Sequence, residues 1–465
     1  MKSLLYLFLL PALFYLGCSP DTKEDKAIED EMNNSLQTEI LDAWYPLTVD
    51  TVYGGFLSNF TFDWQPRGPQ NKMIVTQTRH LWALSGAAMF YKNDGYQNLA
   101  DHAYKYLRDA MWDKEDGGFY TTLSREGKPG STDFGGSKMA YGNAFGIYAL
   151  SAYYELTGNE EALNLAKKDF QWLEEYSHDP VYGGYFNNLN RDGSPLSVGG
   201  MDKAKESGTS PEQLPDYDRI SQKDQNTSIH ILEALTALYK VWPDSLLRKR
   251  LREMFSLIAD TIVTDRGSLT LFLTRDWKPI SLRDSSESYI RRRIDTDHIS
   301  FGHNIETAYL LLEASQVLNG KPDKKTLALA KKMVDQTLKY GWDRKVGGIF
   351  DKGYFFKGSD TITIVSNVKV WWSQAEALNS CLLMSKLYPA EKEKYRDYFK
   401  KEWNYLKTYQ IDHQHKGWYE EGLDNSPRQV SAPKATDWKI DYHNSRALMN
   451  CIKMLRGEDE LTKGL

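Results

Sequence analysis

The stretch DPVYGGYFNNLNRDG, residues 179–193, contains the pattern that decides the fold of this chain. An aspartate precedes a Gly-Gly pair, an aromatic residue follows the pair, and the stretch ends in a polar turn. Because glycine adopts backbone conformations that other residues resist, the pattern predicts a tight turn with a short hairpin. Related stretches occupy 50–60, 113–127 and 343–355, and two weaker versions occupy 264–277 and 412–423.

Helical patterns, often two of them, run between successive turns. Clear pairs are 78–91 with 99–112, 143–158 with 160–176, and 227–242 with 245–263. Their apolar residues recur at steps of three and four, as in amphipathic helices. Six such units predict an all-α fold, an (α/α)6 barrel or toroid with short β-hairpins in the connecting loops. The alternative is an open helical solenoid, and the irregular repeat lengths favour the closed ring.

The composition is that of a soluble globular protein. The chain has 465 residues, a net charge of −5 and 41% hydrophobic residues, so we expect no nucleic-acid partner. Thirteen Trp and 29 Tyr suit the stacking of sugar rings, although large cores use them too. We expect one catalytic domain over residues 36–460, with a long charged loop at 198–225. The oligomeric state stays open, with a monomer favoured.

The N-terminus is typical of an export signal. MKSLLYLFLLPALFYLGC, residues 1–18, has one lysine and then an apolar run that is too short for a stable spanning helix. The Gly before Cys18 resembles the lipobox of bacterial lipoproteins, in which the cysteine carries lipid. We therefore expect an exported lipoprotein, periplasmic or outer-membrane associated, that meets the membrane only through this anchor. Residues 19–35 are predicted to be a flexible acidic tether. A plain signal peptide or a short anchor is the alternative.

Three histidines lie beside other polar residues at the start of helical patterns. His230 follows Asn226 by one turn, His303 precedes Glu306 by three residues, and His443 lies in DYHNSR. Helix starts at a barrel mouth would place these side chains in one cavity. For any single histidine, a structural role is the alternative. We expect no metal site, because GHNIE lacks the second histidine of the HExxH pattern.

Six motifs resemble those of one family. GHNIETAYLLLEA, from residue 302, resembles the GHxxE motif of the N-acylglucosamine 2-epimerase family, and VKVWWSQAEAL at 368–378 resembles its Trp-Trp-x-Gln-x-Glu helix. DWKIDYHNSR at 437–446 is similar to a segment of the cellobiose (mannobiose) 2-epimerase branch. TRHLWALS, YGNAFGIYALS and NTSIHILEA supply the other matches, in the family's order.

The resemblance implies an (α/α)6 barrel, an isomerase that needs no cofactor, and two groups of site residues. His303 and His443 would be the two acid/bases, and Glu306 would orient His303. Arg79 and His230 would stabilise the enediolate. The catalytic group is therefore His303, His443, Glu306, His230 and Arg79, and the substrate-binding group is Tyr141, Asn226, Trp372, Glu376 and Trp438.

The leading functional hypothesis is a sugar 2-epimerase. It would interconvert the gluco and manno configurations at C2 of the reducing-end residue of a β-1,4 disaccharide or oligosaccharide, of cellobiose or mannobiose type. The alternatives within the family are an N-acylglucosamine 2-epimerase and an aldose–ketose isomerase on a monosaccharide. Outside it, a glycoside hydrolase on the same toroid would need a pair of carboxylates, and a glycan-binding protein would need no catalysis.

Overall fold

A computed structural model describes residues 23–130, 136–195 and 223–463. The predicted signal peptide, Cys18 and most of the loop at 198–225 lie outside these ranges. No helix within them is both long enough and apolar enough to cross a membrane.

Twelve long helices make up a little under half of the described residues. Six of them lie on the outside: α1 (Lys23–Asn34), α3 (Asp94–Tyr106), α5 (Glu160–Trp172), α7 (Ser245–Leu257), α9 (Lys324–Tyr340) and α11 (Lys392–Tyr405). Six form the inside: α2 (Ile74–Tyr91), α4 (Ala140–Thr157), α6 (Gln225–Val241), α8 (Phe301–Asn319), α10 (Trp371–Leu387) and α12 (Tyr442–Arg456). Short α-helical segments lie at Asp42–Trp44 and Glu287–Arg292, and five outer helices continue into π-helical turns at Ser35–Leu41, Leu107–Met111, Leu173–Ser177, Ile258–Ile262 and Leu406–Gln410.

The inner helices close into a ring. Each inner helix packs against the next along the chain, α12 packs against α2, and each outer helix packs mainly on one inner helix. This confirms the predicted (α/α)6 barrel, and the solenoid alternative is wrong. Inner helices are buried on nearly every face, as in α4, whereas outer helices such as α7 bury one apolar stripe.

The Asp-Gly-Gly turns repeat one buried ion pair. In the first turn, Asp50 Oδ1 accepts hydrogen bonds from the backbone N–H groups of Val52 and Tyr53, and Lys72 Nζ lies 2.9 Å from Asp50 Oδ2. The same Asp–Lys pairing recurs in four further turns, as Asp113–Lys138, Asp179–Lys223, Asp343–Lys369 and Asp412–Lys434. Each lysine lies at or shortly before the start of an inner helix, so the pair ties a turn to the ring.

The glycines of the quoted stretch are required by its backbone. Gly183 and Gly184 have φ values of 73° and 68°, in the left-handed region. A Cβ atom on Gly184 would also collide with the indole of Trp277. The Gly-Gly pair therefore serves both the turn and its close packing.

The strands are short and mostly join one turn to the start of an inner helix. They are β1 (Lys72–Met73), β2 (Thr122–Leu123), β3 (Lys138–Met139), β4 (Asn188–Leu189), β5 (Lys223–Asp224), β6 (Phe272–Leu273), β7 (Ile299–Ser300), β8 (Lys352–Tyr354) and β9 (Thr363–Ser366). The antiparallel pairs are β1–β2, β3–β4, β5–β6, β7–β8 and β8–β9. Across the Gly-Gly turns only single bridges form, such as His178 with Tyr185, so the predicted hairpins are shorter than expected.

One predicted boundary is wrong. Residues 23–34, expected within a flexible tether, form α1 and pack on α12. Met32 is fully buried, Glu31 accepts a hydrogen bond from the Trp403 indole, and Arg456 lies 2.8 Å from Glu29. The charges that indicated a tether are partners of basic and aromatic side chains, which the composition of the segment alone does not reveal.

Candidate active site

One pocket lies where the inner helices begin. This mouth pocket has a volume of about 220 Å³ and is lined by Arg79, Tyr141, Asn226, His230, His303, Glu306, Trp371, Trp372, Glu420, Trp438, Lys439 and His443. Most of these residues lie in or next to the first two turns of inner helices. Nine of the ten predicted site residues therefore line one cavity, and the tenth, Glu376, lies directly behind His443.

Arg79 is fixed at one side of the pocket by hydrogen bonds and by aromatic faces. Its Nη2 donates to the Tyr141 hydroxyl at 2.9 Å. Its guanidinium lies over the rings of Phe145 and Tyr442, 4.4 and 5.0 Å from their centroids. A cation that is 5% exposed and held in this way is a preorganised donor for negative charge in the pocket.

His303 contacts a serine rather than the predicted glutamate. Its Nδ1 lies 2.9 Å from Ser300 Oγ, which also accepts a hydrogen bond from the His303 backbone N–H as the N-cap of α8. Burial lowers the pKa of His303 to about 3, so its imidazole is neutral. The prediction that Glu306 orients His303 is wrong, because Glu306 accepts its hydrogen bond from Arg446 instead.

His443 contacts the predicted substrate ligand Glu376. Its Nδ1 lies 2.8 Å from Glu376 Oε1 and 3.8 Å from Glu306 Oε1. An Nδ1–H donated to a carboxylate leaves Nε2 free to accept a proton, as in other carboxylate–imidazole pairs. Burial, reinforced by the positive charges of Arg79 and Arg446, lowers the pKa of His443. Glu376 therefore acts on the histidine and does not line the pocket itself.

His230 has the same kind of support. Its Nδ1 lies 2.8 Å from Oε2 of Glu233, one turn further along α6. Its ring meets Tyr141 edge-on, with centroids 5.2 Å apart. The i, i+3 spacing of His230 and Glu233 is present in the sequence. Glu233 is not among the predicted site residues, because it lies within an apolar helix pattern.

A layer of three buried carboxylates lies behind the histidines, and Arg446 joins its members. This carboxylate layer comprises Glu233, Glu306 and Glu376, each no more than 3% exposed. Arg446 Nη2 lies 2.6 Å from Glu306 Oε1 and 2.7 Å from Glu376 Oε1. Arg446 Nη1 contacts Glu233 Oε1 and, at 2.5 Å, the Tyr442 hydroxyl. Arg446 belongs to the quoted DWKIDYHNSR motif but is in neither group of predicted site residues.

The layer has three carboxylates and one arginine, so one positive charge cannot neutralise all of them. The pKa values of the three carboxylates therefore shift in different directions. The charge of Arg446 and the hydrogen bonds that Glu233 accepts from His230 and Tyr442 hold the pKa of Glu233 at about 2 despite its burial. Burial and the neighbouring Glu376 raise the pKa of Glu306 to about 7. Burial also raises the pKa of Glu376. Glu306 Oε2 and Glu376 Oε2 are buried without a hydrogen-bond partner, so a proton on either carboxylate lacks an acceptor within the described chain.

Aromatic rings form much of the pocket wall. Trp372 lies 4.6 Å from the His303 ring and 5.6 Å from the His443 ring, between centroids. Trp371, which is not among the predicted site residues, also lines the pocket, with its ring centroid 5.6 Å from that of His443. Trp438 is 52% exposed at the rim, which leaves its face open to a flat apolar partner.

Two further lining residues were missed by sequence reasoning. Lys439 is 3% exposed, its Nζ donates to the Trp418 carbonyl at 2.8 Å, and burial lowers its pKa to about 8. The sequence contains a signal for Lys439 as a site residue, because Lys439 belongs to the quoted DWKIDYHNSR motif. Glu420 lies on a loop, 3.7 Å from Lys439 through Oε2, and no local pattern indicates it.

Two other clusters bring acidic side chains together. Donor atoms of Glu306, Glu376 and His443 lie within metal-binding distance of one another, but Arg446 Nη2 already contacts both carboxylates. A cavity of about 810 Å³ lies on the outside of the barrel, and its acidic residues Asp113 and Glu115 both pair with Arg191. An arginine therefore already supplies a positive charge to the carboxylates of each cluster.

Comparison with known proteins agrees with the geometry. The sequence model of the N-acylglucosamine 2-epimerase (GlcNAc 2-epimerase) family matches residues 55–203 and 199–447. The chain is 28% identical to the cellobiose 2-epimerase of Bacteroides fragilis over 435 residues, 93% of this chain and 99% of the relative. It is 25% identical to the D-mannose isomerase of Marinomonas mediterranea over 426 residues, 89% and 94% of the two chains.

A solved structure is also similar over the whole barrel. The cellobiose 2-epimerase of Bacillus thermoamylovorans superposes with a TM-score of 0.77 at 27% identity. The match covers 92% of this chain and 99% of the other. The similarity therefore includes the complete helical ring and the elements that carry the mouth pocket.

Proposed function

The chain belongs to the N-acylglucosamine 2-epimerase family, and we propose that it is a disaccharide 2-epimerase. It interconverts the gluco and manno configurations at C2 of the reducing-end residue of a β-1,4 disaccharide such as cellobiose or mannobiose. The observation that carries the proposal is the pair of histidines in one pocket, each with its own hydrogen-bond partner, beside a fixed arginine. The similarity to cellobiose 2-epimerases over the whole barrel supports the disaccharide as substrate.

The chemistry requires proton transfer at a weakly acidic carbon. After the sugar ring opens, one histidine removes the C2 proton, which leaves an enediolate, and the other returns a proton to the opposite face. His303 and His443 are neutral in the free pocket, so either can accept the C2 proton. The other histidine first takes up a proton from solvent and returns it to C2, and the histidine that accepted the C2 proton then releases it to solvent. Arg79 stabilises the negative charge that develops on the enediolate oxygens. Glu376 orients His443 and stabilises the imidazolium that forms.

Sugar binding falls to the rim and the remaining lining residues. Trp372 and Trp438 offer aromatic faces to the sugar rings, and Tyr141 and Asn226 offer hydrogen bonds to the hydroxyl groups. His230, with its Nδ1 on Glu233, directs Nε2 toward the substrate oxygens. The exposed face of Trp438 suits the second ring of a disaccharide, which extends out of the pocket.

The test is incubation with cellobiose, mannobiose, mannose and N-acetylglucosamine in deuterated water, followed by NMR at C1 and C2. Deuterium at C2 with a gluco/manno mixture of the disaccharide is the expected result. A ketose product would indicate an aldose–ketose isomerase, and released monosaccharides would indicate a hydrolase. His303→Ala and His443→Ala should each abolish turnover with the fold retained. Wild-type rates in either variant would contradict the two-histidine assignment.

We also propose that a lipid on Cys18 anchors the enzyme at the outside of the bacterial inner membrane or at the outer membrane. The support is the apolar run and the Leu-Gly-Cys end of the signal. Cys18→Ala should move the protein from the membrane fraction to the soluble fraction. Unchanged fractionation would contradict the anchor.

A further inference from the structure

A second cavity lies at the opposite end of the barrel axis from the mouth pocket. This far-end cavity has a volume of about 250 Å³, close to the 220 Å³ of the mouth pocket. Five of the six inner helices contribute their last turns to it, through Met89, Glu155, Lys240, Glu313 and Lys453. A cavity of this size accommodates a molecule about as large as a single sugar ring.

The charged residues of the far-end cavity do not neutralise one another by contact. Glu155, Lys240 and Glu313 come from the successive helices α4, α6 and α8, so their charges alternate around the ring, and Lys453 comes from α12. Across the described ranges, no N–O distance within 4.0 Å joins these four residues into an ion pair. Glu313 is hydrogen-bonded to Tyr309, and the remaining hydrogen-bonding capacity of the four charged ends is open to a ligand.

The inner end of the cavity carries an unpartnered donor. Arg446, which separates the cavity from the mouth pocket, uses both terminal nitrogens on the carboxylate layer. Its Nε, however, has no hydrogen-bond partner among the described residues, although the side chain is 1% exposed. Asn450 lines the cavity beside it, and its amide donates to the Tyr309 hydroxyl at 3.2 Å. Buried donors without partners are rare, and a ligand is one way to satisfy them.

One wall of the cavity is aromatic. The rings of Trp82 and Tyr148 stack with centroids 5.4 Å apart and an interplanar angle of 19°, and both residues line the cavity. Such a surface binds the C–H face of a ring while the charged residues reach its hydroxyl groups.

The balance of charges selects the class of ligand. Three carboxylates (Glu155, Glu233, Glu313) and three cations (Lys240, Lys453, Arg446) line the cavity, so the formal charge of its lining is zero. A neutral polyhydroxylated molecule can use donors and acceptors together, because each hydroxyl both donates and accepts. We propose that the far-end cavity is a binding site for a neutral sugar of one ring, separate from the mouth pocket and independent of the epimerase chemistry.

The test follows the Trp82 ring during titration with methyl α-D-mannopyranoside. This glycoside cannot open to an aldehyde, so it is not turned over. Full-length protein carrying 5-fluorotryptophan is titrated by ¹⁹F NMR, and Trp82→Phe assigns the Trp82 resonance. The expected result is a saturable shift of that resonance in the unmodified chain. The double variant Lys240→Met with Glu313→Gln should lose the shift.

Controls separate ligand binding from damage to the fold. Lys249→Met removes a cation from the exposed side of α7 and should leave the Trp82 shift intact. The double variant should keep its unfolding midpoint and the rest of its fluorotryptophan spectrum. A Trp82 resonance that the glycoside does not move, or that it moves equally in the double variant, would overturn the proposal. A shift with glycine but not with the glycoside would replace the sugar with a zwitterion.

Discussion

The two ends of the barrel use the same inner helices and similar residue types in opposite ways. At the mouth pocket, most polar side chains have a hydrogen-bond partner: His443 pairs with Glu376, His230 with Glu233, and Arg79 with Tyr141. At the far-end cavity, Glu155, Lys240 and Lys453 lie close together, and within the described part of the chain no ion pair joins them. The difference separates side chains whose direction is fixed before a ligand arrives from side chains that a ligand would have to order.

The reason lies in the carboxylate layer between the two ends. Arg446 contacts all three of its carboxylates, and two of these carboxylates each contact a histidine of the mouth pocket. The residues that fix the mouth therefore lie one turn below it, within the barrel axis.

The largest effect is expected for Arg446→Met. The substitution leaves three buried carboxylates without their cation, and breaking buried ion pairs of this kind costs about 3–5 kcal/mol. Turnover should fall more than about 100-fold, a loss of at least roughly 2.7 kcal/mol in transition-state stabilisation. Chemical denaturation and sugar NMR measure the two quantities.

Lys453→Met is the matched control for Arg446→Met. It removes a cation from the same helix, two turns further toward the far end. Since Lys453 has no close ion pair, its loss should change the free energy of unfolding by less than about 1 kcal/mol. Equal destabilisation by the two variants would remove the distinction between the two ends.

Glu306→Gln should change how stability depends on pH. The pKa of Glu306 is raised from 4.5 to about 7, so the folded protein holds a proton that the unfolded chain releases between these values. Stability from this group is therefore fully present below about pH 4.5 and declines until about pH 7, by roughly 3 kcal/mol in total. The glutamine variant, which is neutral throughout, should lose this decline. Unfolding curves from pH 4 to 8 for both proteins measure it, and identical curves would contradict the assignment.

Glu376→Gln should lower turnover about 10- to 100-fold, as the loss of an outer partner of a working histidine commonly does. The expected cause is weaker stabilisation of the His443 imidazolium, so the pH profile of kcat should shift as well. Glu402→Gln is the control, because Glu402 is also fully buried but lies on the outer helix α11. Similar losses in both variants would show that Glu376 matters only for packing.

Ser300→Ala should have the smallest effect. The loss of an N-cap costs about 1 kcal/mol, and the loss of the His303 contact should lower turnover several-fold. Asp244→Ala removes the N-cap of the outer helix α7 and should cost similar stability with no change in turnover. If the two variants have the same turnover, Ser300 stabilises the start of α8 but does not contribute to catalysis through His303.

The sequence predicted the ring and the residues of the pocket better than the contacts among them. Tyr141, Asn226, His303 and His443, predicted from first-turn positions of inner helices, line one pocket, because an (α/α)6 ring places all these turns at one end. The spacing of His303 and Glu306 suggested a pair, yet Glu306 turns to Arg446, 140 residues further along the chain. Local spacing puts two residues on one helix face but does not say what lies opposite that face.

By itself, the sequence determined the six units, the Asp-Gly-Gly turns and the polar residues at the helix starts, because these features depend on local periodicity and backbone freedom. Only the tertiary structure decided that α1 is a barrel helix rather than a tether, and that one arginine joins three carboxylates. Those outcomes depend on burial and on contacts between distant segments. The same closure of the ring created the far-end cavity, whose residues are scattered over five helices and share no motif.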